Sequence, residues 1–288
     1  MSDLIIIGIG PAGVSAALYA VRAGLSPVVI GGENTALALA THIQNYYGLP
    51  GEVSGSSLFD AGIRQLEELK VSTVRAEVVD IQYGADGLYS VLSAEATYQA
   101  RCVILATGAG RERVKLEGFD RLDGHGVSWC AVCDGFFFRG KDVAVLGSGL
   151  YALHEAEYLL PLARSVKLLT NGDAPPAGVP ATVQVVTAKL NSLLGESTLE
   201  GAAFEDGTSL PLSGLFVALG IAGASALARK LGAPTSGGNV VVDETCSTLL
   251  PGLFAAGDCT GGMPQVTAAV YQGARAAPSA IAFLRETR

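Results

Sequence analysis

Leu4-Ile5-Ile6-Ile7 followed by Gly8-Ile9-Gly10-Pro11-Ala12-Gly13 sets the reading of the whole chain. The four apolar residues have the length and side chains of a strand buried in a parallel sheet. The glycines then follow in G-x-G-x-x-G spacing, and Ala16, Ala17, Ala20 and Val21 recur at helical intervals. Strand, glycine turn and helix in that order read as a dinucleotide-binding unit, whereas the spacing alone would be a weak signal. Gly8 permits the tight turn, Gly10 lets a pyrophosphate approach the backbone, and Gly13 lets helix and strand pack closely. The helix N-terminus faces the anion. The plain alternative is an ordinary glycine-rich turn. The second strand, Pro27 to Ile30, ends in Gly31-Gly32, so the usual ribose-binding carboxylate is absent or displaced to Glu33.

Working outward, Asn45-Tyr46-Tyr47-Gly48-Leu49-Pro50-Gly51 reads as an ordered loop, and Leu58 to Leu69 as a helix. Val71 to Val91 alternates as short strands, and Cys102 to Gly108 is an apolar strand ending at a glycine beside the nucleotide site. The opening pattern then returns. Asp142-Val143-Ala144-Val145-Leu146 leads into Gly147-Ser148-Gly149-Leu150-Tyr151-Ala152 and an alanine-rich helix. Two nucleotide-type units in one chain are the main organisational fact. Asn171 to Pro180 is a loop, Val183 to Leu212 short strands, and Leu215 to Gly220 another buried strand. Val240 to Asp243 and Leu253 to Asp258 follow as strands. The latter places a carboxylate at a strand's carboxyl end, where ligands bind in open α/β sheets. A final helix spans about 267 to 285, with Pro278 inside it.

Between the two glycine turns lies Trp129-Cys130-Ala131-Val132-Cys133-Asp134-Gly135. Two cysteines at this spacing can close a small disulfide. A local helix start can depress one thiol's pKa, and the thiolate is the attacking species in disulfide exchange. Asp134 is placed to give or take the proton. The alternative is half of a zinc site, but no second Cys-x-x-Cys or His-rich partner exists in the sequence. Cys102, Cys246 and Cys259 are isolated, and Cys102 reads as a small buried hydrophobe.

Composition narrows the class. A chain of 288 residues with 49% hydrophobic and 16% charged residues and 37 glycines fits a turn-rich α/β protein of about two domains. The formal net charge of −8 speaks against nucleic acid or an anionic membrane surface as a partner. No apolar run is long enough to span a bilayer, and Met1-Ser2-Asp3 leads straight into the first strand. The expectation is a cytoplasmic protein, where a Cys-x-x-Cys pair is more often catalytic than structural.

The order G-x-G-x-x-G, Thr107-Gly108, Cys130 to Gly135, the second G-x-G-x-x-A and Phe254-Ala255-Ala256-Gly257-Asp258 resembles low-molecular-weight thioredoxin reductase from end to end. The resemblance implies two Rossmann-like α/β domains, the second inserted into the first. Residues 1–113 plus 244–288 would bind FAD, and 114–243 would form an NAD(P)-type insert carrying the cysteine pair. It further implies that Gly8, Gly10, Pro11, Ala12 and Gly13 hold the FAD pyrophosphate, with Asn45, Thr107 and Gly108 near the flavin. Gly257 and Asp258 would bind the ribityl or phosphate region, and Gln265, Val266 and Thr267 would lie near the isoalloxazine. By the same likeness Cys133 faces the flavin, Cys130 attacks the protein disulfide, and Asp134 is the proton-transfer acid. A homodimer is usual in this family.

The departures bear on the electron donor. Members that use NADPH carry a His-Arg-Arg type run after the insert's second strand, where this chain has Leu168-Leu169-Thr170-Asn171-Gly172-Asp173. A 2′-phosphate without a positive partner forgoes charge-assisted hydrogen bonds of about 1.5–3 kcal/mol each. Tyr151 stands where a small hydroxyl residue is usual, while Glu155 matches the family's helix acid. The resulting expectation is a flavoprotein that passes electrons from FAD through Cys130–Cys133 to a thioredoxin-like protein. Its donor is ferredoxin or another reductant rather than NADPH. The alternatives are a conventional NADPH-dependent enzyme, an NADH-dependent one, and a non-turnover flavin redox sensor or scaffold.

Overall fold

A computed structural model describes residues 2–32, 35–108 and 115–287. The chain divides into two compact units, one made of residues 1–110 and 223–288 and the other of 111–222. Glu33 and the 113/114 boundary expected from the sequence lie outside the described residues.

The first unit opens with strand β1 (Ser2–Ile7), helix α1 (Pro11–Arg22), β2 (Val28–Ile30), the short α2 (Ala36–Leu39) and α3 (Gly55–Glu68). Four strands follow: β3 (Ser72–Val74), β4 (Val78–Tyr83), β5 (Tyr89–Ser93) and β6 (Thr97–Leu105). The order across the sheet is β3-β2-β1-β6-β5-β4. β1, β2, β3 and β6 run parallel, and β4 and β5 return antiparallel. Leu4, Ile5 and Ile6 are fully buried, each contributing about 1.5–3 kcal/mol of apolar burial. The alternation expected over Val71 to Val91 is therefore three strands, two of them a hairpin.

The second unit begins with α4 (Phe119–Leu122), β7 (Val127–Ser128) and α5 (Ala131–Asp134), which runs into a 3-10 turn over Gly135–Phe138. It continues through β8 (Asp142–Leu146), α6 (Leu150–Leu159), β9 (Ser165–Leu169) and β10 (Val183–Val186). The antiparallel trio β11 (Leu190–Leu194), β12 (Gly201–Phe204) and β13 (Ser209–Pro211) precedes β14 (Gly214–Val217). β10-β9-β8-β14-β7 is an all-parallel sheet. The strand–glycine turn–helix pattern thus recurs as β8–α6.

The chain then completes the first unit with α7 (Ala224–Lys230), β15 (Thr235–Ser236), β16 (Asn239–Val240), β17 (Leu253–Ala255) and α8 (Val266–Glu286). Residues 223–243, expected in the insert, pack with the first unit instead. The Lys230 ammonium, 1% exposed, pairs at 3.0 Å with Asp80 on β4, 5% exposed, and also donates to the Val79 carbonyl. Separating such a buried pair costs several kcal/mol, which holds α7 to this sheet. Val240 to Asp243 forms only the end of a two-residue ladder: the Val241 amide still donates in register to the Pro234 carbonyl, but proline has no N–H to return the bond and the pairing stops there. α8 continues past Pro278 and packs on α1 through alanines and Gly273. Among the described residues no helix is long and apolar enough to cross a membrane.

Candidate functional site

The register of the first unit's sheet brings the sequence motifs together. Ile7 pairs with Leu105, and Leu105 with Ala255, so β1, β6 and β17 end level with one another. Gly8, Ala106 to Gly108 and Ala256 to Asp258 therefore emerge side by side at the carboxyl edge, where an α/β sheet binds its ligand. Gly8 has φ +120°, and a Cβ there would lie 2.1 Å from the Ala106 carbonyl oxygen. A Cβ on Gly13 would lie 1.9 Å from the Gly8 oxygen. A Cβ on Gly10 would meet nothing within 4 Å. Two glycines thus serve backbone packing, and the third keeps the mouth of the turn open. Pro11 starts α1, whose N-terminus has no side-chain cap, and Ala12 is buried against the positions a Cβ on Gly257 or Gly273 would take. This is an open cradle at a helix N-terminus whose N–H groups have no side-chain cap among the described residues, and it fits a dinucleotide pyrophosphate.

Other side chains converge on the same edge. The Asn45 amide donates to Gln265 Oε1 at 2.8 Å, joining two loops expected near a flavin. Thr107 Oγ1 accepts from the Ala224 amide at 2.8 Å, so it fastens the start of α7. Val266 and the exposed Thr267 open α8. Asp258 is half-buried, accepts no side-chain hydrogen bond among the described residues, and is pushed up in pKa by burial. A ligand hydroxyl would relieve that. Gln272, on α8, accepts from the Gly257 amide at 2.7 Å and the Thr260 hydroxyl at 3.2 Å, and so fixes the Gly-Asp turn. Nothing in the sequence reading singled out Gln272, although it is a polar residue on a helix otherwise packed through alanine. Cys102, Cys246 and Cys259 are buried, and burial pushes the Cys259 thiol up to about 12. They are inert at neutral pH.

In the second unit Cys130 and Cys133 form a disulfide. The peptide leaves β7 at Ser128 and starts α5, with Cys130 at its N-cap. The Cys133 amide donates to Cys130 Sγ at 3.1 Å, which stabilises negative charge on that sulfur once the disulfide opens. Cys130 is 3% exposed, whereas Cys133 is exposed. Cys130, expected to attack an external disulfide, is therefore the inner sulfur of the closed pair. Ser128 donates to Asp134 Oδ2 at 2.6 Å and accepts from the Cys130 amide at 3.1 Å. Glu155, 1% exposed on α6, accepts from the Ala131 amide at 2.9 Å. Helix α6 thereby braces the redox helix directly. Neither Ser128 nor this contact of Glu155 was legible beforehand. Among the described residues no group of three His, Cys, Asp or Glu side chains could hold a metal ion.

The second glycine turn is built differently at its margin. Tyr151, the third residue after the turn's Ser148, is 1% exposed, so its ring is buried. Ser148 Oγ donates to Asp173 Oδ2 at 3.1 Å, across from the loop that follows β9. In that loop Asn171 has φ 52° and its side chain accepts from the Leu190 amide at 2.8 Å. Gly172 has φ 96°, and a Cβ there would lie 2.9 Å from Lys189 Cε. Within the stretch that lacks cations, Asn171 and Gly172 thus form a left-handed turn, and the Asn171 side chain is already committed to the backbone. One cation does reach this loop: the Lys189 stem lies over Gly172.

Comparison with known proteins agrees with this geometry. The chain matches the pyridine nucleotide-disulphide oxidoreductase family over residues 2–273. It is 36% identical over 276 residues to a thioredoxin reductase from Mycolicibacterium smegmatis, covering 89% of this chain and 88% of that one. Among solved structures it is similar to the atypical thioredoxin reductase from Desulfovibrio vulgaris Hildenborough, with TM-score 0.94, 36% identity and 99% of each chain covered. It is also similar to a ferredoxin-flavin thioredoxin reductase from Clostridium acetobutylicum, with TM-score 0.75 and 30% identity over 99% of this chain and 98% of that one.

Proposed function

Because the chain belongs to the pyridine nucleotide-disulphide oxidoreductases, and among them to the thioredoxin reductases, we propose that it reduces the disulfide of a thioredoxin-like protein with electrons from a donor other than NADPH. The enzyme class is FAD-dependent disulfide oxidoreductase. Gly8, Gly10, Gly13, Asn45, Thr107, Gly108, Asp258 and Gln265 would hold FAD, with Pro11, Ala12, Gly257, Val266 and Thr267 shaping the pocket around it. When bound, FAD supplies the electron pair that opens the Cys130–Cys133 disulfide. Opening frees Cys130 to turn outward. Its thiolate, favoured by the Cys133 amide, then attacks the partner disulfide, and Cys133 resolves the mixed disulfide. Asp134 carries a proton in the exchange.

The observation that carries the donor reading is the Asn171-Gly172 turn. A cation grafted at Gly172 would need a side chain at φ 96° against the Lys189 stem, and at Asn171 it would break the bond to the Leu190 amide. A one-electron carrier of the ferredoxin type is the donor we favour, since one structural relative is itself a ferredoxin-flavin enzyme. We place the protein in the cytoplasm as a homodimer, which sedimentation can check.

Lys189 supports a second reading, in which it supplies the charge for a 2′-phosphate from the β10–β11 connection. Anaerobic rapid mixing with NADPH separates the two. We expect the flavin absorbance to persist over many seconds. Bleaching within seconds that Lys189→Met abolishes would establish the second reading, and bleaching by NADH alone would identify a different nicotinamide donor.

A further inference from the structure

We propose that Ser128 is a positioning residue for the exchange step, holding the Asp134 carboxyl in one orientation beside the cysteine pair. This rests on the disulfide-exchange reading above. Ser128 is buried at the end of β7, its backbone paired with Phe216 of β14, so its hydroxyl has little freedom. That hydroxyl has one proton to give. Asp134 Oδ2 lies at 2.6 Å, against 3.4 Å for the Cys130 carbonyl oxygen, so the proton points to Asp134. The same oxygen accepts from the Cys130 amide at 3.1 Å. The Asp134 amide in turn donates to the Cys130 carbonyl at 3.1 Å. One side-chain oxygen thus ties the backbone of the first cysteine to the carboxyl of the acid, through a short bond of the strong, charge-assisted class. Asp134 Oδ1 takes no hydrogen bond among the described residues and is left for proton transfer.

The Cys130 thiolate attacks the partner disulfide, whose S–S bond breaks, and the first partner thiolate takes a proton from solvent. Cys133 then attacks Cys130 Sγ, breaking the mixed disulfide and re-forming the Cys130–Cys133 bond. The Cys133 thiol proton passes through Asp134 Oδ1 to the second partner thiolate. The enzyme dithiol loses two electrons and the partner gains them. Ser128 touches no sulfur, so its effect on proton transfer runs through Asp134, while its bond to the Cys130 amide holds the turn.

The test uses the flavin-loaded full chain, reduced anaerobically with dithionite, desalted, and mixed with oxidised thioredoxin or with 5,5′-dithiobis(2-nitrobenzoate). S128A is expected to slow dithiol oxidation about tenfold, a fraction of the usual worth of a positioned acid or base. In a D134N background S128A should change the rate by less than about twofold, as coupled residues do. S128T, which keeps the hydroxyl, should exceed S128V, of the same volume, by a similar tenfold. That pair decides the matter if S128A does not fold. Equal slowing by S128A with and without D134N, or equal rates for S128T and S128V, would overturn the proposal. A wild-type protein that reacts with the small disulfide but not with thioredoxin would remove the proposed partner, and the Ser128 comparison would still be read on the small disulfide.

Discussion

Asp258 shows how a single residue can be out of balance with its own fold. Its carboxyl is half-buried, without a hydrogen-bonding partner among the described residues, and burial raises its pKa above the ordinary 3.8. A raised carboxyl binds more protons folded than unfolded, so stability falls as pH climbs from the unfolded pKa through the folded one. Asp258→Asn should therefore raise the thermal midpoint of the flavin-free protein near pH 7, and the gain should vanish below about pH 3. The same variant should weaken flavin retention at neutral pH. A midpoint difference that is independent of pH would contradict this assignment. The residues that set this environment were only partly legible. Asp258 stood out because it ends an apolar strand, whereas Gln272, which fixes its turn, lies on a helix and is joined to it only by folding.

The β1–α1 turn makes a claim at the scale of an element. Its glycine spacing was legible because the whole device is local: strand, turn and helix follow within some twenty residues. What the spacing could not distinguish is what each glycine does. Gly13 is closed by the Gly8 carbonyl, whereas Gly10 faces open space. Gly13→Ala should thus destabilise the unit by several kcal/mol, since a backbone oxygen cannot yield to a methyl as a side chain would. Gly10→Ala should fold with a near wild-type thermal midpoint and yet purify with little flavin. Absorbance at purification and a melting curve check both. Elements defined by distant contacts were less legible. Residues 223–243 go with the first unit because of the Lys230–Asp80 pair, formed between residues 150 apart in sequence, and Val240 to Asp243 pairs only with the two-residue strand β15 among the described residues. The Ser128–Asp134 link spans only six residues. It still escaped the sequence, because serine before a Cys-x-x-Cys pair has no periodic or compositional signature.

At the scale of the whole molecule, one fold motif is used twice with different outcomes. In the first unit the glycine turn opens on a helix N-terminus and on Asp258, whose carboxyl has no hydrogen-bond partner among the described residues, as suits a cofactor site. In the second, the matching turn leads into a helix whose Tyr151 is buried, and it carries a serine–aspartate bond at its margin, while Glu155 on that helix braces the redox pair. We read the second unit as a carrier of sulfur chemistry rather than a receiver of NADPH. The central claim is that electrons leave through Cys130 and Cys133. It is tested most directly by mixing dithionite-reduced, desalted protein with oxidised thioredoxin under anaerobic conditions and counting the thioredoxin thiols formed. The wild-type protein should reduce thioredoxin, Cys130→Ser should fall to background, and Cys133→Ser should stop at a mixed disulfide. Thioredoxin reduction by Cys130→Ser at the wild-type rate would contradict the account.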